Sequence, residues 1–166
     1  MRAMDILLSI PSTVLAISIA AALGPGLLNL MVAVGISSTP AYARVMRGSV
    51  LSVKGQEFVE AAKAVGSSDR RIILRHIIPN CMAPLIVQST LGVASAILST
   101  AGLSFIGLGI QPPTPEWGAM LSGARAYIRD YAYMTFFPGF AIMITILALN
   151  FLGDGLRDAL DPKLKR

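Results

Sequence analysis

Charged side chains are confined to a few short segments of this chain. No Asp, Glu, Lys or Arg occurs from Ile6 to Ala43, from Ile77 to Pro115, or from Tyr131 to Gly153. A membrane span needs about 20 apolar residues. The first two stretches are each long enough for two passes, or for one pass plus re-entrant and loop backbone; the third fits one. Gly24-Pro25-Gly26 punctuates the first stretch and predicts a tight hairpin between two spans, Ile6 to Leu23 and Leu27 to Ala43. Both are slightly short, which implies tilt or shared burial. The second stretch predicts one long helix, roughly Ala83 to Gly109, before a proline-rich loop. The third predicts a last span, roughly Phe136 to Gly155, the fourth in all. Asp5 and Pro11 suit neither the charged nor the apolar region of a signal peptide.

The polar segments have helical patterns of their own. A short helix is predicted from Gln56 to Val65, with Phe58, Ala62 and Val65 on one face and Glu57, Glu60 and Lys63 largely elsewhere. Gly66 falls where a helix-ending left-handed residue is wanted. Ser67, Ser68 and Asp69 offer N-caps for a second helix, about Arg70 to Ile77, closed by Pro79. Two short helices at a sharp angle make a compact knob. An ordinary amphipathic loop at the headgroups has the same pattern. Past Pro112-Pro113-Thr114-Pro115, Trp117 suits a membrane interface. Apolar Met120, Leu121, Ala124, Tyr127, Ile128 and Tyr131 then recur at helical spacing, with Ser122, Arg125 and Arg129 on the other face. This predicts a short helix along the outer surface, either a plain connector or a lip that meets an external partner.

Composition agrees with a membrane domain: 54% of the 166 residues are hydrophobic and 14% charged, too few charges for a soluble surface. With four spans, both ends and the middle loop share one side. That side carries all but Arg125 and Arg129 of the 14 Lys and Arg residues. Positive charge marks the cytoplasmic face, so both termini and the middle loop are expected inside. The net charge of +5 then needs no nucleic acid to explain it. Lys163, Lys165 and Arg166 read as an anchor on membrane lipid, and Asp154 and Asp158 beside Arg157 as local ion pairs or caps.

Enzymatic chemistry finds no support. No Gly-Lys dipeptide occurs, so the chain has no P-loop to bind ATP phosphates. Cys81 is the only cysteine and His76 the only histidine, which gives neither an internal disulfide nor a metal set. Gly153-Asp154 lacks the second intramembrane aspartate that a protease dyad would need. Gly92, Ala96, Thr100 and Ser104 recur every four residues in the long helix. Such a row either packs helices closely or forms a polar, uncharged path wall. Gln88, Ser95, Ser99 and Asn150 are further intramembrane polar groups.

Glu60-Ala61-Ala62, Gly66 and Pro79 resemble the EAA loop of bacterial ABC importer permeases. His76 and Ile78 stand where the general pattern has isoleucine and leucine. Arg75-His76-Ile77-Ile78-Pro79-Asn80 instead resembles the branch that imports dipeptides, oligopeptides and nickel. Gly24-Pro25-Gly26, Ala43-Arg44-Val45-Met46-Arg47-Gly48, Pro113-Thr114-Pro115-Glu116-Trp117-Gly118 and Gly153-Asp154-Gly155-Leu156-Arg157 agree with that branch. The resemblance implies an all-α type I importer transmembrane domain over residues 1–166, of the second-permease type and lacking the branch's N-terminal part. It implies a cytoplasmic coupling loop over 54–80 and an extracytoplasmic loop with a surface helix over 111–134. It also implies a bacterial inner-membrane location, and as partners a second permease, two cytoplasmic ATP-binding subunits and an extracytoplasmic substrate-binding protein. No cofactor is implied. A non-transporting assembly or regulatory subunit is the alternative function.

In the implied mechanism the knob inserts into a groove on the ATPase. Glu60 pairs with a basic or amide group there, Ala61 and Ala62 permit close approach, and Gly66 sets the turn. A docked charge pair that loses one member costs about 2–5 kcal/mol. Glu60→Lys is therefore expected to uncouple transport while the amount of folded protein in membranes stays at the wild-type level; equal loss of folded protein would refute the assignment.

Overall fold

A computed structural model of the chain describes residues 1–160, and every regular element among them is a helix. The expected anchor at Lys163, Lys165 and Arg166 lies outside the described residues. The chain opens with α1 (Arg2–Leu8) and α2 (Ser12–Leu23), which meet at 92°. The predicted span Ile6 to Leu23 is thus not one straight helix. Pro11, extended at ψ 130, carries no N–H to continue α1, and the chain turns there. The Gly24-Pro25-Gly26 hairpin is as expected. Asn29 Nδ2 donates to the carbonyls of Leu23 (2.8 Å) and Gly24 (3.2 Å), groups that the end of α2 leaves free.

Helix α3 (Leu27–Lys54) runs 28 residues, well past the expected end at Ala43. Pro40 does not break it. That ring is fully buried, and the hydroxyls of Ser37, Ser38 and Thr39 bond to carbonyls one turn back in the same helix. Next come α4 (Glu57–Ala64) and α5 (Asp69–Ile72). The second loop helix was expected to stop at Pro79, and it does not. α5 passes through a π segment, Ile73–Ile77, into α6 (Ile78–Phe105) as one helix of 37 residues. A proline in α geometry clashes with the carbonyl four residues back, here that of Arg75. The wider i→i+5 turn lies over that carbonyl and makes room. Ser68 takes the N-cap position of α5, but its hydroxyl makes no capping bond.

Helix α6 closes at Phe105 rather than Gly109. Gly107 N–H bonds to the Ser104 carbonyl and Leu108 N–H to the Leu103 carbonyl, the paired bonds of a Schellman turn. Helix α7 (Trp117–Ala124) starts earlier than its spacing predicts, because Glu116 caps it: the carboxylate accepts from Ala119 N–H at 2.7 Å. It also ends sooner. A 3-10 turn, Arg125–Tyr127, follows. Helix α7 does not simply lie on the surface. It packs against α6 and against α8 (Tyr133–Leu160), with Gly118 and Ala124 buried. Among the described residues two helices can cross a membrane by length and apolarity, Asp69–Phe105 and Tyr133–Leu160; the bent pair α1–α2 would make a third. Of the four expected spans, the last two correspond to these two helices. The first is broken, and α3 mixes apolar turns with a polar, basic second half.

Two apolar clusters hold these helices together. One joins α2, α3 and α6 through Ala16, Ala20, Leu30, Ala33, Val34 and Leu103. Small alanines let the helices approach closely where water-driven burial is weak. The second cluster lies under the loop. At Gly118 a β-carbon would fall on the backbone of Ala101, so α7 crosses α6 with nothing between them. Gly123, in the same helix, faces open space. Gly118→Ala is expected to lower the thermal midpoint of the detergent-solubilised protein, by about 1–3 kcal/mol of overpacking. Gly123→Ala should leave it level or raise it, by up to about 1 kcal/mol of helix propensity.

Candidate functional site

The knob is built on a cluster of five buried side chains: Val59 and Ala62 of α4, Ile72 and Ile77 of the following helix, and Cys81 of α6. Met46, Val50 and Val53 of α3 pack against them. On an α-helix, residues five apart point about 140° apart, so Ile72 and Ile77 would not share a face. The π segment adds a residue to the turn and brings both inward. The expected apolar face of Phe58, Ala62 and Val65 is corrected accordingly. Only Ala62 is buried; Val65 is 80% and Phe58 39% exposed. Val59, three positions before Ala62, is the true anchor at 0% exposure. Its spacing was visible in the sequence, but Phe58 is larger and competes with it as a candidate core residue.

The outward face of α4 therefore presents Glu57, Phe58, Glu60, Ala61 and Val65. Glu57 and Glu60 lie in its first turn and Lys63 in its last, each placed favourably for the helix dipole. Gly66 follows with φ 78; its N–H bonds to the Lys63 carbonyl at 2.9 Å, and Ser67 N–H bonds to that of Ala62 at 3.1 Å. This is again a Schellman turn, and its left-handed residue favours glycine. Of the singled-out residues, Glu60, Ala61, Ala62 and Gly66 come together in one knob, with Ala62 turned inward. Pro79 belongs instead to the start of α6.

A cleft of about 640 Å³ lies between α2, α3 and α6. Gly92 and Ala96 line it, with Gln88, Ser95 and Ser99 of the same helix. Thr100 does not, and Ser104 is buried at 1% exposure, where its hydroxyl accepts from Ile110 N–H at 3.2 Å. The row of small residues thus divides: its first half faces the cleft and its end packs. Asn150 is not in the cleft wall. The opposite wall was not anticipated. It holds Ser12 and Thr13 of α2 and Ser37, Ser38 and Tyr42 of α3. Tyr42 Oη lies against Gly92, where a β-carbon would collide with it. No lining side chain is charged. Hydroxyl and amide groups can exchange hydrogen bonds with a passing polar solute without a deep electrostatic well.

The described residues thus form an all-α membrane domain with a folded, charged knob beside its longest helix and an uncharged cleft whose largely apolar walls carry scattered hydroxyl and amide groups. The chain belongs to the family of binding-protein-dependent transport system inner membrane components, whose model matches residues 1–166. This is the type I ABC importer transmembrane domain. The chain is 52% identical over 165 residues to the di/tripeptide transport system permease protein DppC of Pseudomonas aeruginosa, covering 99% of this chain and 54% of that protein. It is 52% identical over 164 residues to the dipeptide transport system permease protein DppC of Alkalihalophilus pseudofirmus, with the same coverage. It is 51% identical over 165 residues to the glutathione transport system permease protein GsiD of Escherichia coli O1:K1, again covering 99% and 54%. The chain spans about half the length of these relatives.

A β-carbon at Gly66 meets nothing within 4 Å, so any cost of adding one there is backbone strain alone. Gly66→Ala is expected to cost about 1–2 kcal/mol, read as faster amide hydrogen exchange in α4 with exchange in α8 unchanged.

Proposed function

We propose that the chain is a permease subunit of an ATP-driven importer of peptides or related small solutes, forms half of its translocation path, and couples to a cytoplasmic ATPase through the knob. Nickel chelates belong to the same proposed range, on the resemblance of residues 75–80. The proposed assembly contains a second permease, two ATP-binding subunits that hydrolyse the ATP, and an extracytoplasmic substrate-binding protein. The proposed orientation places the knob and both termini in the cytoplasm, in accord with the charge asymmetry.

One observation carries this reading: two continuous helices join knob to cleft. Met46, Val50 and Val53 of α3 pack on the core of the knob, and Ser37, Ser38 and Tyr42 of the same helix line the cleft. Ile77 and Cys81 likewise sit in the knob core, and Gln88, Gly92, Ser95 and Ser99 line the cleft further along the same helix. A displacement of α4 is therefore passed to both walls through close-packed side chains, which transmit strain. Glu60 and Ala61 at the exposed face are the proposed contact points, with Ala62 anchoring them from beneath. Gly92 and Ala96 are proposed path-wall residues, Thr100 and Ser104 packing residues.

The test is co-purification from membranes that also contain the cognate ATPase and second permease. Wild-type chain should retain the ATPase, and Glu60→Lys and Gly66→Val should lose it while remaining folded. A well-folded wild-type chain that retains no ATPase would overturn the coupling role.

A further inference from the structure

One contact crosses the cleft, and the knob and wall roles assigned above do not account for it. Tyr42 is the one aromatic side chain that lines the cleft among the described residues. It reaches from α3 to the backbone of α6, and its Oη occupies the space that a β-carbon at Gly92 would need. Polar groups stand on either side of this crossing. On α6, Gln88 lies about one turn toward the knob, and Ser95 and Ser99 lie about one and two turns away from it. The ring therefore divides the polar lining of α6 in two. A contact made only for packing belongs in an apolar seam, whereas this one stands inside a cleft that continues past it.

The same two helices tie this crossing to the knob. Met46, one turn beyond Tyr42 on the same face of α3, packs on the knob core. Cys81, buried in that core, precedes Gly92 by about three turns of one helix and so shares its face. At the other end α3 and α6 are held again, by Leu30, Ala33, Val34 and Leu103. The cleft opens between these two fixed points, and Tyr42 spans it. A shift of the knob that widens the gap lifts the phenol out of its notch, and one step between staggered rotamers then swings the ring aside. We propose that Tyr42 and Gly92 form a removable partition across the cleft, closed while the phenol sits in the notch, so that Tyr42 determines what passes between the Gln88 side and the Ser95–Ser99 side. In the permease reading, on which this rests, the imported solute has to pass that point.

Thiol labelling tests the partition without a transport readout, in membranes that hold the full chain with its cognate second permease and ATPase subunits. A membrane-impermeant methanethiosulfonate is added to whichever face labels Ser68→Cys, an exposed position at the start of α5 that marks the knob side. From that face Gln88→Cys should react quickly and Ser99→Cys slowly. The minor state of such an equilibrium is populated at about 0.1–10%, so Tyr42→Ala should speed labelling of Ser99→Cys about tenfold or more. Gly92→Ala should speed it too, because the β-carbon unseats the phenol. Tyr42→Phe/Gly92→Ala should be slow again: with the oxygen gone, the ring carbon that bore it stands 3.0 Å from the new β-carbon and closes on it after a small shift. Native Cys81, buried in the knob core, reports general loosening and should stay unreactive throughout. If Tyr42→Ala does not reach the membrane folded, Gly92→Ala and its double variant carry the same comparison. An unchanged Ser99→Cys rate in Tyr42→Ala and Gly92→Ala overturns the proposal, as does a double variant as fast as Gly92→Ala. A parallel rise at Cys81 overturns it in favour of a packing role for Tyr42. Labelling needs no ATPase contact, so a chain that retains no ATPase still gives the full comparison, and failure of the partition leaves the coupling role standing.

Discussion

The packing of Val59 and Ala62 onto Ile72, Ile77 and Cys81, with Met46, Val50 and Val53 behind them, is the interaction on which the rest of the molecule turns. Without it α4 would be an eight-residue helix of no independent stability, since isolated helices that short do not persist in water. With it, α4 becomes a rigid boss on two helices that continue into the membrane domain. The cluster is small and apolar, and it is made mostly of branched aliphatics with few rotamers. It therefore fixes orientation as well as contact, which the proposed coupling to a motor subunit requires.

Much of this was legible in the chain. Long charge-free runs announce membrane helices, because lipid offers backbone groups no partner but the helix itself. Gly24-Pro25-Gly26 and Gly66 announce turns, because few other residues accept those backbone angles. What misled was proline. Pro79 reads as a stop, yet a neighbouring π turn absorbs it; Pro40, on which the sequence was silent, has its ring buried inside α3. Pro11, inside the expected first span, stands at a 92° corner. Local sequence states that a proline must disturb a helix. Only packing decides whether the disturbance becomes a bulge, a buried ring or a corner.

The candidate sites divide along the same line. The carboxylates and the glycine turn of the knob could be read because their pattern is local, but the same spacing assigns its buried face to Phe58 and Val65, which are exposed, in place of Val59. The cleft could be read only on the α6 side, where Gly92 and Ala96 share one helix with Gln88, Ser95 and Ser99. Ser12, Thr13, Ser37, Ser38 and Tyr42 come from helices distant in sequence, and nothing in their spacing shows that they face α6. The notch at Gly92 that receives Tyr42 is a tertiary fact of the same kind.

The π segment has one more consequence, and it concerns phase. A helix that is both lever and wall needs its two ends set at a definite angle to each other about a shared axis. Each residue added or removed turns one end by about 100°, far too coarse a step for fine adjustment. A five-residue stretch of wider winding, Ile73–Ile77, offers an intermediate rotation that whole-residue insertions cannot reach. It acts as a vernier between knob and cleft, setting the bearing of Glu60 relative to Gly92 without altering either.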